Sequence, residues 1–262
     1  MKQISAALGL AAVLAAGCSS STGSTGSTAS QPSGTPSSSA STGTPTPSTA
    51  PYHPTIKAAA FTTNITNPYL PFPQRTTFVF EGTRDGVPTR TEVTVTKETK
   101  TIMGVRCIVV RDVVTSNTAL VEKTTDWYAQ DNQGNVWYFG EQTAEYKNGA
   151  VTSTQGTWLA GVDGAQPGIV MPAHPTTGGS AYRQEYRPGV AEDMAKVVST
   201  GASVKVPAGT YSRAVVTRDT DPLNPTKLEH KTYGKGAGLV KTVGVVNGHH
   251  EQTQLVSVLT SH

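Results

Sequence analysis

Apolar and polar side chains alternate with a period of two through most of the chain beyond its first 51 residues. Phe78 and Phe80 alternate with their neighbours in this way, and so do Val93 and Val95. Because the side chains of a β-strand point alternately to its two faces, the pattern predicts strands with one buried face. Residues 105–114 are largely apolar on both parities, which is typical of a central strand covered on two sides. Further strands are predicted at residues 120–130, 135–141, 182–187, 196–200, 203–206, 213–219, 228–233, 239–246 and 252–259.

Turn signals separate these strands. The Asn-Gly pairs at residues 148–149 and 247–248 favour two-residue hairpins, because both residues tolerate the positive φ angles of a type I′ turn. Residues 131–134 and 207–209 indicate two further turns, and residues 190–198 have the pattern of one or two helical turns. The sequence therefore predicts an all-β fold, a single antiparallel meander sheet that is strongly curled into a half-barrel or barrel-like form, with little helix.

The N-terminus has the order of a bacterial lipoprotein signal. An uncharged apolar stretch at residues 4–16 follows Lys2, and residues 14–18 read Leu-Ala-Ala-Gly-Cys. The stretch is shorter than the ~20 residues that a membrane-spanning helix needs, and ordinary secretion is the alternative. We expect residues 1–17 to be a cleaved signal peptide and Cys18 to carry a diacylglyceryl anchor with palmitate-type chains. Two acyl chains give stable attachment to the membrane, where one chain is marginal.

The next segment, residues 19–51, consists of Ser, Thr, Gly, Pro and Ala together with Gln31. Such residues cannot bury enough apolar surface to offset the backbone entropy of ordering, about 1–2 kcal/mol per residue. We predict that residues 18–51 form the lipidated cysteine and a disordered tether, with O-glycosylation of the tether as a further hypothesis. Residues 52–262 then form one β-rich domain, which this arrangement places outside the cytoplasmic membrane.

Composition narrows the classes of partner and of chemistry. The formal net charge is +3 and charged residues make up 15% of the chain, which gives no basic stripe and predicts no nucleic-acid partner. Cys107 is the single cysteine besides Cys18, so no disulfide within the mature chain is expected. Its apolar neighbours indicate a buried strand position for Cys107.

Four segments resemble a family of uncharacterised bacterial envelope lipoproteins. They are NPYLP at residues 67–71, WYAQDNQGNVWYFGE at 127–141, GVDGAQPG at 161–168 and YGKGAGLVK at 233–241. At the level of the fold, the strand pattern is also similar to the half-barrel lipoprotein carriers LolA and LolB. This second likeness implies an apolar cavity for acyl chains, and neither likeness supplies catalytic residues.

Motifs of the common catalytic and cofactor sites do not match this chain. Residues 178–181 lack the closing glycine of a G-x-S-x-G nucleophile elbow, and residues 234–236 are a turn signal without the rest of a phosphate loop. His249 and Glu251 have the spacing of two ligands on one strand face, but a third ligand is not evident. We therefore predict no cofactor and no metal site.

A long segment without an obvious strand pattern, residues 158–179, is the most distinctive stretch of the domain. Loops of this length are often binding lips or lids, while the alternative is that residues 169–171 cover an open end of the sheet. The candidate ligand-binding residues, taken from this segment and from the aromatic residues of the neighbouring strands, are Trp127, Trp137, Phe139, Trp158, Asp163 and His174.

Three functions fit this sequence. The first is a non-enzymatic binding or carrier module, anchored to the envelope membrane by Cys18, for an apolar or amphipathic, lipid-like ligand. The second is an envelope polysaccharide hydrolase that uses paired carboxylates from Asp163, Glu141 and Glu185. The third is a structural surface protein without a cavity. The first is the leading hypothesis, because a curled sheet with one apolar face supplies an inner surface.

Overall fold

The computed structural model describes residues 52–246 and 248–261, which are almost entirely strands and the turns between them. A single 3-10 turn, Ala58–Ala60, precedes the first strand. The strands are β1 (Phe61–Thr62), β2 (Thr76–Arg84), β3 (Val87–Ile102), β4 (Val105–Ser116), β5 (Ala119–Asp131), β6 (Val136–Lys147), β7 (Ala150–Ser153), β8 (Trp158–Leu159), β9 (Gln166–Met171), β10 (Tyr182–Arg183), β11 (Glu185–Tyr186), β12 (Met194–Val206), β13 (Gly209–Asp221), β14 (Asn224–Gly234), β15 (Gly238–Val246) and β16 (His249–Thr260). In the described ranges we find no helix with the length and apolarity to cross a membrane.

All 16 strands belong to one antiparallel sheet, which confirms the predicted fold class. Its main order is β10-β12-β13-β14-β15-β16-β2-β3-β4-β5-β6-β9-β11. Two meanders, β2 to β6 and β12 to β16, are joined where the last strand pairs with the first long strand, with Leu255 opposite Phe80. The sheet thus brings residues from the two halves of the chain onto one continuous inner face.

The segment from Tyr182 to Tyr186 pairs with β12 on one side and with β9 on the other. It therefore joins the two ends of the sheet into a nearly closed barrel. Its first half, β10, pairs with β12, and its second half, β11, pairs with β9. Sequence analysis predicted one strand here, whereas the structure splits it at Gln184, whose backbone N–H donates to the carbonyl oxygen of Asp193. A closed sheet has few unpaired edge groups.

Closure requires a glycine at position 168 of β9. A β-carbon on Gly168 would lie 2.3 Å from the carbonyl carbon of Gln184 and 2.4 Å from its oxygen. Both are backbone atoms, so a side chain cannot be accommodated by a rotamer change. Gly168 is therefore the residue that lets the closing segment approach β9.

The predicted helical turns at residues 190–198 are wrong, because β12 begins at Met194. Ala195 and Val197 are buried and alternate with the exposed Lys196 and Val198. Pairing along the whole of β13 satisfies the backbone of this segment, and that outweighs the weak local preference for helix.

The predicted turns between strands are largely confirmed. Asn148 and Gly149 have φ angles of 55° and 79°, as a type I′ hairpin requires. Residues 131–134 close a turn in which the N–H of Gly134 donates to the carbonyl oxygen of Asp131 at 3.0 Å. Residues 207–208 connect β12 to β13. Asn247 lies outside the described residues, although the strands on either side of it pair as expected.

Apolar side chains fill one part of the barrel and also cover the outer face of β4 to β6. Cys107 is fully buried in β4, as predicted, and burial raises the pKa of its thiol to about 12. The most completely buried large apolar and aromatic side chains are Trp158, Tyr128, Tyr138, Phe139, Ile108, Met171 and Leu255.

We predict that Gly168→Ala lowers the free energy of unfolding by about 1–3 kcal/mol or more, as for an overpacked interior site. Urea unfolding followed by circular dichroism measures this change. Gly201→Ala is the matched control, because a β-carbon there meets no atom within 4 Å. Equal unfolding midpoints for the two variants would contradict the role of Gly168 in closing the barrel.

Candidate functional site

Trp158 faces the barrel interior rather than a lip at its mouth. It lies opposite Glu141 in the pair of β6 and β8 and contacts Tyr138 edge-on, with 5.3 Å between ring centroids. Its indole N–H donates to a carboxylate oxygen of Glu185 at 2.9 Å. Only 2% of Trp158 is exposed, so this side chain is part of the core.

The other three predicted aromatic residues lie on the outer face of the same strands. Trp137 and Phe139 pack edge-on against Phe61, with 6.0 and 5.5 Å between ring centroids. The ammonium group of Lys100 lies 3.9 Å from the ring centroid of Trp127. The structure therefore divides the predicted aromatic set between the two sides of the sheet.

Asp163 and His174 are exposed, in contrast to the buried Trp158. The carboxylate of Asp163 accepts a hydrogen bond from the guanidinium of Arg187 at 2.9 Å. Residues 158–179 are not a loop without regular structure, since they contain β8 and β9. Met171 at the end of β9 is fully buried, so this part of the segment covers the sheet next to β6.

A cluster of carboxyl groups occupies the interior beside Trp158. Asp126 and Glu141 are direct neighbours across β5 and β6. The hydroxyl oxygen of Tyr138 lies 2.5 Å from Asp126 and 3.1 Å from Glu141. The hydroxyl has one proton, which it donates to the two carboxyl groups in a shared, three-centre arrangement. Two buried carboxyl groups this close together disfavour ionisation of both at once.

Two buried lysines of β14 hold a second group of carboxylates. The ammonium group of Lys227 pairs with Asp193, and that of Lys231 lies 3.1 Å from Asp219. Both ammonium groups are 3.9 Å from Glu229, which lies between them in the strand. The two lysines therefore interact with carboxylates on three neighbouring segments of the barrel.

Buried acidic side chains outnumber the buried basic ones by ten to three among the described residues. The basic residues are Arg84, Lys227 and Lys231. The acidic residues are Asp112, Glu122, Asp126, Glu141, Glu185, Asp193, Asp219, Asp221, Glu229 and Glu251. We call these thirteen residues the charged interior. An unpaired buried charge is costly, so most of the excess carboxyl groups have to be neutral or share protons.

The acidities of these groups shift in the direction that burial dictates. Burial raises the pKa of Glu122 to about 8, and the carboxylates of Glu145, Asp126 and Glu251 act in the same direction. Burial likewise raises the pKa values of Asp126, Asp193 and Glu251 to about 7 each. The charged interior therefore changes its protonation near neutral pH.

The carboxyl groups of the alternative hydrolase site do not meet in an open cleft. Glu141 and Glu185 are fully buried, and burial raises the pKa of each well above its ordinary value. Asp163 is exposed and paired with Arg187 instead. Groups without exposed surface cannot reach a polysaccharide chain, so the described geometry does not favour hydrolysis.

In the part of the chain that the structure describes, no group of three or more His, Cys, Asp or Glu side chains is arranged to hold a metal ion. The two residues weighed as ligands have other partners. His249 contacts the carboxylate of Asp85, and Glu251 pairs with Arg84 at 2.8 Å.

Sequence patterning missed the charged interior because charges and apolar residues exchange their usual faces in β14. Lys227, Glu229 and Lys231 are buried, while Leu228 between them is 38% exposed. A period of two shows that side chains alternate between two faces of the strand, but it does not show which face is buried. The available signal was that opposite charges recur on one parity of adjacent strands.

An apolar pocket lies between residues 70–72, strand β2 and the turn that joins β14 to β15. Its enclosed volume is about 10 Å³ and the space around it is open to solvent. Its lining residues are Leu70, Pro71, Phe72, Phe78, Phe80, Ala237, Gly238 and Leu239. Ligand sites for drug-sized molecules usually measure about 300–1,000 Å³. A water molecule alone needs roughly 10–15 Å³ measured in the same way. The apolar pocket is therefore a shallow apolar depression, and an apolar group would enter it only if the rim moved outward.

Two of the resembling motifs, residues 67–71 and 233–241, form one side of the apolar pocket. The N–H of Gly236 donates to the carbonyl oxygen of Pro68 at 2.7 Å. The buried amide of Asn67 donates to the carbonyl oxygens of Gly134 and Pro172 at 2.9 and 3.1 Å. These hydrogen bonds fix the segment that carries Leu70 and Phe72 over the end of the sheet.

Neither a family model nor a curated protein matches this sequence. Two solved structures are similar in fold. One is a candidate lipoprotein from Parabacteroides distasonis, with 15% identity, a TM-score of 0.41 and coverage of 73% of this chain and 98% of that chain. The other is a candidate exported protein with a YmcC-like fold from Bacteroides fragilis, with 11% identity, a TM-score of 0.42 and coverage of 73% and 99%. The likeness is remote at these values, and the function has to follow from the residues of this chain.

We predict that stability falls as pH rises through the neutral range. A carboxyl group whose folded-state pKa is raised holds a proton that the unfolded chain has already released, so its contribution is complete below the unfolded pKa, 4.5 for Glu122, and is lost toward the folded value of about 8. Each such group contributes a slope of up to about 1.4 kcal/mol per pH unit. Urea unfolding at intervals between about pH 5 and pH 8.5 measures the slope.

Glu122→Gln should flatten this dependence, because glutamine cannot ionise. Its free energy of unfolding should approach that of the unmodified chain near pH 5 and exceed it near pH 8. Glu92→Gln is the control, since its exposed carboxylate pairs with Arg90 at the surface. A stability that is independent of pH, or that rises with it, would contradict the neutral state of the charged interior.

Proposed function

We propose that this chain is a membrane-tethered, extracytoplasmic, non-enzymatic module that binds the apolar end of a lipid-like ligand. The apolar pocket carries the ligand part of this proposal. It has an apolar wall, it is partly open to solvent, and hydrogen bonds from Asn67 and Gly236 hold its rim. Entry of an apolar group would bury further apolar surface, which favours binding by about 25 cal/mol per Å² and would offset the cost of opening the rim.

The size of the apolar pocket limits the ligand. With an enclosed volume of about 10 Å³, it would take the end of one acyl chain or one apolar side chain only after its rim opened, while the remainder of the ligand stays outside. The interior beyond it is filled by aromatic side chains and by the charged interior, including Tyr128 and Tyr138, whose rings stack at 4.7 Å. The proposed ligand is therefore held by one end rather than enclosed.

The tether part of the proposal depends on the lipoprotein signal at residues 1–18. Lipidation of Cys18 would keep the domain at the membrane surface, within reach of lipid-like ligands. The Ser/Thr/Gly/Pro composition of residues 19–51 suits a flexible spacer, with a reach of roughly 30 Å for a chain of this length.

Cys18→Ser should abolish membrane anchoring, because the thioether is the proposed covalent link. We expect the variant either to keep its signal peptide or to be released without lipid. Fractionation of the native host with mass spectrometry of the N-terminal peptide checks this. Retention of the variant with the same lipid mass as the unmodified chain would refute the tether.

Uncharged linear alkanols of increasing length test the pocket by calorimetric titration. Affinity should rise by about fourfold for each added methylene group and then level off once the pocket is full. Ala237→Phe should weaken binding at least about tenfold, because the added ring occupies the apolar pocket. The matched control is Ala150→Phe, at an exposed hairpin position, which should bind as the unmodified chain does.

Two outcomes would overturn the ligand proposal. One is the absence of saturable binding at every chain length, and the other is equal binding by Ala237→Phe and the unmodified chain. In either case a structural role of the tethered domain would fit the observations better. Unfolding midpoints of both phenylalanine variants show whether the fold is retained.

A further inference from the structure

The fold separates charge by sign. Of the 18 acidic residues, ten are buried in the charged interior, so eight lie at the surface. Of the 21 lysines and arginines, Lys2 lies outside the described residues and three are buried, so 17 lie at the surface. The surface of the domain therefore carries nine more positive than negative groups, whereas the whole sequence has a formal charge of +3.

The outer face of β12 to β16 holds the clearest part of this excess. Every acidic residue from position 193 to position 261 is buried. Six basic residues of the same stretch are exposed or half-buried, five in the strands and Lys235 in the turn between β14 and β15, and we call them the basic face: Lys196, Lys205, Arg213, Arg218, Lys235 and Lys241. No ion pair involves any of them among the described residues.

Strand register places like charges next to one another on this face. Lys196 lies directly opposite Arg218, in the pair of β12 and β13. Side chains in such positions are about 4.5–5.5 Å apart at their β-carbons, and like charges there are destabilising. The arrangement does not serve the stability of the sheet, and an anionic partner would relieve the repulsion.

Exposed aliphatic side chains lie among these cations. Val198 is 42% exposed, Leu228 38% and Val243 42%, and Val243 is directly opposite His230. Apolar side chains interleaved with Lys and Arg are typical of surfaces that lie at the boundary between lipid head groups and acyl chains. A nucleic-acid backbone would attract the cations but would gain nothing from valine and leucine.

We propose that the basic face docks on an anionic phospholipid surface. Lysine and arginine side chains would contact the phosphates, and Val198, Leu228 and Val243 would reach the head-group boundary. The proposed tether would hold the domain close to a membrane where this docking could occur. The vesicle experiment below, however, uses neither the lipid on Cys18 nor the apolar pocket. Its failure is therefore distinguishable from a failure of the proposed function.

The test uses the chain from Ser19 onward, which lacks the apolar signal and contains every described strand. Sedimentation with vesicles of phosphatidylglycerol and phosphatidylcholine measures partitioning. We expect binding to the anionic vesicles, little binding to pure phosphatidylcholine, and loss of binding at high salt, because exposed charges are screened.

Substitutions locate the surface. Lys196→Gln, Arg218→Gln and Lys241→Gln together should weaken binding about 100-fold, at about fivefold for each cation. The control triple variant, Lys57→Gln, Lys97→Gln and Arg106→Gln, removes the same charge from exposed positions elsewhere and should change binding less than about threefold. Urea midpoints of both triple variants verify that the sheet remains folded.

The outcomes separate the explanations. Equal losses in the two triple variants would mean attraction by net charge alone and would overturn the basic face as the docking site. No binding to anionic vesicles would overturn membrane docking itself. Leu228→Ser with Val243→Ser should weaken vesicle binding but leave binding of single-stranded DNA unchanged. Tighter binding of DNA than of vesicles, with no effect of the serine variant on either, would assign the face to nucleic acid.

Discussion

The structure of this domain depends on the neutralisation of carboxyl groups inside the barrel. Lys227 and Lys231 pair with Asp193 and Asp219, and Arg84 pairs with a further carboxylate. The remaining acids have too few cations, and a buried carboxylate without a partner costs several kcal/mol. Protons therefore have to neutralise part of the interior, where burial raises the pKa values of Glu122, Asp126, Asp193 and Glu251 to about 7 or 8.

The same constraint shapes the outer surface. Side chains of a strand alternate between its two faces, so the neighbours of each buried acidic residue point outward. In β12 to β16 these outward neighbours include cations and aliphatic side chains. Asp219 is buried between the exposed Arg218 and the half-buried Thr220, and Glu229 is buried between Leu228 and His230. One alternation therefore yields both the acidic interior and the basic face. The net charge of the sequence does not reveal this separation, because it adds the buried acidic residues and the exposed basic residues together.

The predicted site residues show where local pattern and tertiary position diverge. Trp158, Trp137 and Phe139 were predicted to line a ligand site because they are aromatic residues on curled strands. The structure packs them in the core on opposite sides of β6, and Asp163 and His174 lie elsewhere at the surface. The apolar pocket instead uses residues 67–72 and the turn between β14 and β15, segments that the resemblance had drawn attention to for their sequence alone.

Period-two alternation and turn residues determined that this chain is an antiparallel all-β domain, and they did so because side-chain direction and positive φ angles are local properties. Tertiary structure alone decided three other features. It turned Lys227 and Lys231 inward and Leu228 outward, it made residues 194–198 part of a strand rather than helical turns, and it closed the barrel through Gln184 and Gly168. Each depends on partners far away in sequence, since a parity becomes interior only when another strand supplies the opposing charge or the opposing backbone.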